Sequence, residues 1–345
     1  MINPLAGFEA FANRSVRGYD AATQTGQVLT GLDAATAGGL AFLVSQLEKQ
    51  DPRLLEPTTS VYWFRDIVQN VGGGYVDFSS HYFPNYSVSG SQTGIVSSQT
   101  SKIPVIQADI AKVQYRVFEW ANNLRLPFID MQKLKNTPFS LQQLLDKGLR
   151  LSYNKDMDQI VFNGVGSIPG LINNATISQS TVATSWTAAI AANTTDVIHQ
   201  QIDTLINETW TASNFDVDAM ANTILLPPAK FKLLNNAFVI GGAGVAVSLR
   251  EYILQNNAAS AQGVPLSIRP NPFCTGAGVG ATDRMVAYRL DGEKMSFGQD
   301  VTVPLTRGLT QVSLTEGQAY LTNYHAMIGQ VQPLYPQGAA YADGI

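Results

Sequence analysis

The sequence predicts an α+β fold. Three features carry that prediction: one long, capped amphipathic helix over residues 140–163, short strands grouped between turns, and no internal repeat. The helix is the best-defined element. Apolar residues recur at Leu141, Leu144, Leu145, Leu149, Tyr153, Met157, Ile160 and Val161, the spacing of one helix face. Ser140 with Gln143 fits a capping box, Phe139 with Leu144 fits a hydrophobic staple, and Asn163-Gly164 supplies a left-handed stop. At 1.5 Å per residue it would run roughly 36 Å.

The other elements follow in chain order. Residues 1–34 hold few apolar anchors and read as an extended arm. A helix is expected from residue 32 to about residue 50, closed by Asp51-Pro52, and then a β-like run at residues 61–64. Gly72-Gly73-Gly74 punctuates the chain. Residues 75–78 and 103–106 read as strands around the polar stretch SVSGSQTGIVSSQTSK. So long a hairpin, with so little apolar content, would order most easily on a neighbouring subunit. The run Tyr75, Phe78, Tyr82, Phe83 and Tyr86 has no basic residues interleaved, so it reads as interface anchoring rather than base stacking.

Residues 109–126 alternate, with Val113, Tyr115 and Val117 opposite Gln114 and Arg116, which predicts a half-buried strand. After the long helix, residues 176–193 are Ser/Thr/Ala-rich and read as a surface excursion. A second helix over residues 195–209 carries Ile198, Ile202, Leu205 and Ile206 on one face. Residues 215–236 read strand, turn, helix, and a third helix is expected at residues 248–255. Short strands are expected at 266–268, 285–290, 295–297 and 301–303, with a long one at 319–331. Residues 332–345, rich in Pro, Gly and Ala, read as an irregular tail.

Composition narrows the function. Charged residues make up 14% of the chain, against about 25% in an ordinary soluble domain. Two readings remain open: extensive burial between subunits, or a β-rich protein with a neutral polar surface. A net charge of −4 argues against a protein that neutralises duplex phosphates. Cys274 is the sole cysteine, which excludes an intrachain disulfide and a Cys-rich zinc site and predicts a buried thiol. The first residues lack a signal-peptide pattern, and no run of about 18 apolar residues predicts a membrane span.

The sequence carries no recognisable catalytic or cofactor motif. Gly276-Ala277-Gly278-Val279-Gly280 lacks dinucleotide spacing, and neither a phosphate loop nor a Gly-x-Ser-x-Gly elbow occurs. His81, His199 and His325 are far apart, with no metal-ligand spacing. Asp156 and Asp158, beside Arg150 and Lys155, read as a solvated or inter-subunit ionic face. Asp216 and Asp218 fall at an expected strand start, with too few oxygen ligands nearby for Ca²⁺. No catalytic residue, cofactor or metal is therefore expected, and the chain reads as a non-enzyme.

The order of elements then meets a known pattern. Val117-Phe118-Glu119-Trp120, the helix at 140–163 and Pro169-Gly170-Leu171-Ile172-Asn173 carry it. The chain resembles the major capsid proteins of tailed bacteriophages, the Hong Kong 97-like fold that encapsulin shells share. The resemblance implies an N-terminal arm at 1–34 and an E-loop at 71–106. It implies a peripheral domain at 35–70, 107–215 and 319–345 with its spine helix at 140–163, and an axial domain at 216–318. Gly241, Gly242 and Gly244 would mark an axial loop. The assembly-interface candidates are Tyr75, Phe78, Tyr82, Phe83, Tyr86, Lys102, Arg150, Lys155, Asp156 and those three glycines. Some family members cross-link Lys to Asn between subunits; Lys102 lies near the hairpin, but no partner for it can be named.

The function so implied is an icosahedral shell around a double-stranded DNA phage genome, located in the virion and assembled in the bacterial host cytoplasm. Its partners would be further copies of itself in hexamers and pentamers, portal, scaffold or decoration proteins, and DNA by non-specific contact only, with no membrane. Two alternatives stay open: an encapsulin-like nanocompartment shell with enzyme cargo, and a β-rich adhesin or binding module.

Overall fold

The computed structural model describes residues 60–72, 78–89, 105–134, 141–240, 246–300, 305–313 and 318–345. The expected N-terminal arm, the helix near residues 32–50, and Tyr75, Lys102, Gly241, Gly242 and Gly244 lie outside them, as does the Ser140 cap. Within them the α+β expectation holds. Two main sheets are present, with the long helix Leu141–Asn163 lying on the larger one.

The larger sheet has six strands. Its order is Val68–Gly72, Met295–Asp300, Ala319–Pro333, Val105–Pro127, Phe78–Ser89, with Thr306–Ser313 also paired to Ala319–Pro333. Val105–Pro127 is one continuous strand of 23 residues. The sequence suggested two strands here, one ending the hairpin at 106 and another from 109. No turn residue separates them, so the ladder runs through. Its first half pairs antiparallel with Phe78–Ser89, from Phe78 opposite Arg116 to Ser89 opposite Val105. Its second half pairs with Ala319–Pro333, from Val117 opposite Gly329 to Pro127 opposite Ala319.

The expected alternation holds only in part. Tyr115 and Val117 are half-buried and Gln114 and Arg116 exposed, but Val113 is 39% exposed. Beyond Phe118 the inward face passes to the even residues: Trp120 is half-buried, and Leu124 and Leu126 are buried. The long helix covers that face. Leu149 packs with Leu124 and Tyr324, flanked by Leu145 and Trp120. The Tyr153 ring meets Trp120 edge-on at 5.0 Å.

Two aspartates on this helix depart from the solvated face expected of them. Asp156 lies three residues after Tyr153, hence on the same face, and accepts a hydrogen bond from Trp120 Nε1 at 3.0 Å. Asp158 is buried and accepts from the backbone N–H groups of Tyr62 at 3.0 Å and Trp63 at 2.8 Å. It caps the helical turn Trp63–Asp66, whose own N-cap residue makes no side-chain bond. That turn stands where the sequence suggested a β-like run. Its free amides need an acceptor, and a residue 95 positions away supplies it.

The helix ends as expected, with Gly164 at φ 80°. The Gly-Leu-Ile-Asn turn then folds back on it. Leu171 N–H donates to Val161 O at 2.7 Å and Ile172 N–H to Phe162 O at 3.1 Å, so two of the last helical carbonyls are satisfied. Gly170 has no room for a side chain: a Cβ there would lie 2.3 Å from the Phe162 carbonyl oxygen. Gly170→Ala is expected to destabilise the protein by about 2–3 kcal/mol, measured by chemical denaturation. A change under about 0.5 kcal/mol would mean that the turn relaxes freely.

The smaller sheet has five strands in the order Ser267–Pro270, Thr223–Leu226, Arg284–Tyr288, Ala339–Asp343, Ser178–Thr181. On one face lie the helices Trp186–Ala191, Thr195–Ala212, Pro228–Asn236 and Leu249–Gln255, burying Trp186, Ile198, Ile202, Leu205, Leu234 and Ile253. The other face contributes Leu225, Val286, Tyr288 and Tyr341 to a second core with Met157, Phe162, Leu171, Trp63 and Phe297.

The expected helices are present at Thr195–Ala212 and Leu249–Gln255, the latter capped by Ser248 Oγ. Three expectations fail. The tail forms the fully buried strand Ala339–Asp343, whose alanines suit a crowded interior position. The segment read as a surface excursion supplies an edge strand and a helix anchored by buried Trp186. Asp216 starts no strand; it caps the 3₁₀ turn Val217–Ala219 by accepting from Asp218 N–H at 3.0 Å.

Candidate assembly surface

The hairpin of Phe78–Ser89 and residues 105–116 has two unlike faces. Directly opposed residues share a face. One face carries Tyr82 opposite Lys112, Pro84 opposite Ile110, and Tyr86 opposite Ala108, with Ile106 beyond them. Tyr82 is 63%, Tyr86 68%, Ile106 70% and Ile110 64% exposed. A row of four large apolar side chains in water is what a monomer rarely keeps. Lys112 Nζ sits 5.9 Å from the Tyr82 ring centroid, adding a cation–π contact to the row.

The opposite face turns toward the body. Ser79 is buried, and its Oγ lies 3.1 Å from His81 Nε2. The His81 ring meets Tyr115 at 5.6 Å, and Phe83 meets Tyr335 at 5.9 Å, both edge-on. Tyr115 Oη donates to Pro333 O at 3.3 Å, and burial raises its phenol above the ordinary range.

What holds this arm in place is the continuous strand behind it. Trp120 and Leu124 lock that strand to the long helix, and Tyr324 Oη donates to Asp146 Oδ1 at 2.5 Å from the neighbouring strand. The outer face of the helix shows Lys147, Arg150, Lys155 and Gln159 to solvent. Of the sequence-derived interface candidates, then, Tyr82 and Tyr86 stand exposed on the arm, Phe83 faces inward and Phe78 lies in the arm's strand. Arg150 and Lys155 are exposed, whereas Asp156 is spent inside the subunit on Trp120.

Sequence reasoning missed the edge strand Thr306–Ser313, where Leu309 is 85% and Val312 54% exposed. Its polar residues Arg307, Thr310, Gln311 and Ser313 fall on both faces, so no alternation marks it. It also missed the buried ionic groups. Asp66 is fully buried and receives Arg65 Nε at 2.6 Å, Asn271 Nδ2 at 3.1 Å and Arg269 Nη1 at 3.4 Å.

Among the described residues no group of three His, Cys, Asp or Glu side chains is placed to hold a metal. His199 Nε2 is engaged with Asn256 O, and Cys274 is buried, which pushes its thiol far up. A groove of about 600 Å³ beside helix Thr195–Ala212 is lined mainly by Thr, Ser, Asn and Ala. Its ionisable residue is Glu208, whose carboxyl burial raises above the ordinary range. No described helix is long and apolar enough to cross a membrane.

The sequence pattern of the major capsid protein family matches residues 91–345. Among solved structures, the capsid of Myoviridae phage XM1 aligns with a TM-score of 0.70 at 15% identity, over 87% of this chain and 98% of that one. The capsid of a native GTA particle aligns at 0.58 and 12% identity, over 90% and 99%. The SrpI encapsulin of Synechococcus elongatus PCC 7942 aligns at 0.53 and 10% identity, over 88% and 94%. At these identities the structures speak for the fold. Among curated proteins, none matches this sequence.

Proposed function

We propose that this chain, which belongs to the major capsid protein family and is a structural shell protein of the virion, closes its shell by laying the hairpin arm on a neighbouring copy. One observation carries the reading: the exposed row of Tyr82, Tyr86, Ile106 and Ile110 on two paired strands, the longer of which is locked to the body by Trp120 and Leu124. Burying what remains exposed of those four side chains would contribute on the order of 1–2 kcal/mol each before the cost of association, repeated at every copy of a symmetric assembly. The low charged fraction fits a chain whose surface is largely shared between subunits.

The finer reading is an icosahedral shell of hexamers and pentamers around double-stranded DNA, assembled in the host cytoplasm, without catalysis of its own. Portal, scaffold or decoration proteins are its further partners. The long helix serves as the spine of a peripheral domain built on the six-stranded sheet. The five-stranded sheet with its helices forms the axial domain. That partition differs from the simple span 216–318: strands Ser178–Thr181 and Ala339–Asp343 go to the axial sheet, and Met295–Asp300 and Thr306–Ser313 to the peripheral one.

Negative-stain microscopy of the purified protein tests the reading. Closed particles of uniform diameter are expected, eluting far ahead of a 37.2 kDa protomer. A stable monomer at high concentration would sink it. The encapsulin-like fold of SrpI keeps a cargo-holding compartment in view; particles from the native source that hold protein cargo and no nucleic acid would favour it over a phage head.

A further inference from the structure

We infer that the two clefts sharing Glu208 form a binding site for a small primary amine in its ammonium form, a ligand site apart from any contact between subunits. The chain matches its buried aspartates with donors. Asp343 receives Arg284, Gln179 and the Val279 N–H. Asp66 receives Arg65, Arg269 and Asn271, and Asp158 receives the N–H groups of Tyr62 and Trp63. Glu208 breaks the pattern. Its Oε2 is buried and no donor of the protein reaches it, the one carboxylate oxygen so placed among the described residues. Polar neighbours are already engaged: Asn207 Nδ2 donates to Asp203 Oδ2 at 3.0 Å, and Gln201 Nε2 to Thr184 O at 2.9 Å. A buried polar atom without a partner calls for an explanation. A ligand that donates hydrogen bonds and carries positive charge supplies one.

The surroundings select the class of ligand. Glu208 and Thr204 line both the groove of about 600 Å³ and a second cleft of about 350 Å³, sizes that suit a small molecule. No Lys, Arg or His lines either cleft, so no cation of the protein repels the ligand or competes for the carboxylate. Glu208 is also the sole acid in both linings, which sets the ligand's charge at one. Ser178, Thr204 and Thr211 offer hydroxyl oxygens to the other ammonium hydrogens, and Ala340 and Leu205 offer apolar surface to a short aliphatic chain. No aromatic ring lines either cleft, so a quaternary ammonium would find neither a cage nor a use for the hydroxyls. Burial raises the Glu208 carboxyl, as it must for an acid that the protomer leaves uncompensated.

Three probes titrated into the purified full-length chain by calorimetry separate charge, shape and N–H donation: n-butylammonium, n-butanol and n-butyltrimethylammonium. The primary ammonium is expected to bind about tenfold tighter than either of the others. Glu208→Gln keeps the side-chain shape and removes an uncompensated charge, so it should melt at or above the wild-type temperature and lose that preference. Glu208→Asp keeps the charge on a shorter side chain and should retain part of it. Equal binding of the three probes, binding of none, or a preference that survives in Glu208→Gln overturns the inference. Loss of folding in both variants overturns it too, since the carboxylate would then serve the protomer and not a ligand. The shell reading is tested by whether particles form, so its failure and the failure of this inference are read from different measurements.

Discussion

Deletion of residues 80–100 is expected to leave a folded, soluble protomer that forms no shells. Among the described residues, the two large buried clusters draw none from this segment, and the third takes Leu124, Leu149 and Tyr324. Folding should survive, with a thermal midpoint within about 2–4 °C of wild type, the equivalent of roughly 1 kcal/mol in a domain of a few hundred residues. What disappears is the strand that carries Tyr82 and Tyr86 and pairs with residues 105–116. A milder variant isolates the chemistry: Tyr82→Ser, Tyr86→Ser and Ile110→Ser together keep the hairpin and remove three of its exposed apolar side chains. Both variants should elute as protomers and show no particles by negative stain. Normal particles from the deletion would refute the arm's role; normal particles from the triple variant alone would move the adhesive contact to another part of the arm.

Much of this fold was legible because its elements announce themselves locally. The long helix has period-3.6 apolar spacing and a Gly stop, and both appear in the structure at Leu141–Asn163 and Gly164. Ile198, Ile202, Leu205 and Ile206 are all buried as their spacing requires. What escaped were features written in contacts between distant residues. Asp158 looks like one more surface acid until its acceptors are seen to hold Tyr62 and Trp63. Residues 339–343, Ala-Ala-Tyr-Ala-Asp, have no alternation to read. They form a strand because Arg284–Tyr288 and Ser178–Thr181 offer ladder partners on both sides. The arm was legible as a hairpin with aromatic content, but the strand register decides that Tyr82 and Tyr86 face water while Phe83 faces the body.

The same logic gives the second large effect. Arg284→Met is expected to destabilise the protein by about 3–5 kcal/mol, because it strands a buried acid. Asp343 is fully buried and takes Arg284 Nε at 2.6 Å and Nη2 at 2.8 Å, with Val279 N–H at 3.0 Å and Gln179 Nε2 at 2.6 Å completing its shell. The third arm of the guanidinium, Nη1, donates to Ile172 O at 2.6 Å, in the turn that closes the long helix. One side chain thus ties the innermost strand of the smaller sheet to the end of the helix that braces the larger one.

Burial alone would raise the Asp343 carboxyl. The Arg284 bond, with the Val279 N–H and Gln179, outweighs burial and holds it below the ordinary carboxylate range. A lowered folded-state value means that the pair's contribution is fully present above the unfolded value, about pH 3.9, and drains away as pH falls through the folded one. Without Arg284, burial is left with less to oppose it and the Asp343 carboxyl rises. Acid unfolding followed by far-UV circular dichroism should then begin at higher pH in Arg284→Met than in wild type. Replacing both partners, Arg284→Met with Asp343→Leu, should recover most of the lost stability, since no charge is left unpaired. If Arg284→Met costs under about 1 kcal/mol and leaves the acid transition in place, water reaches Asp343 in solution and the two sheets are held together by their shared apolar core alone.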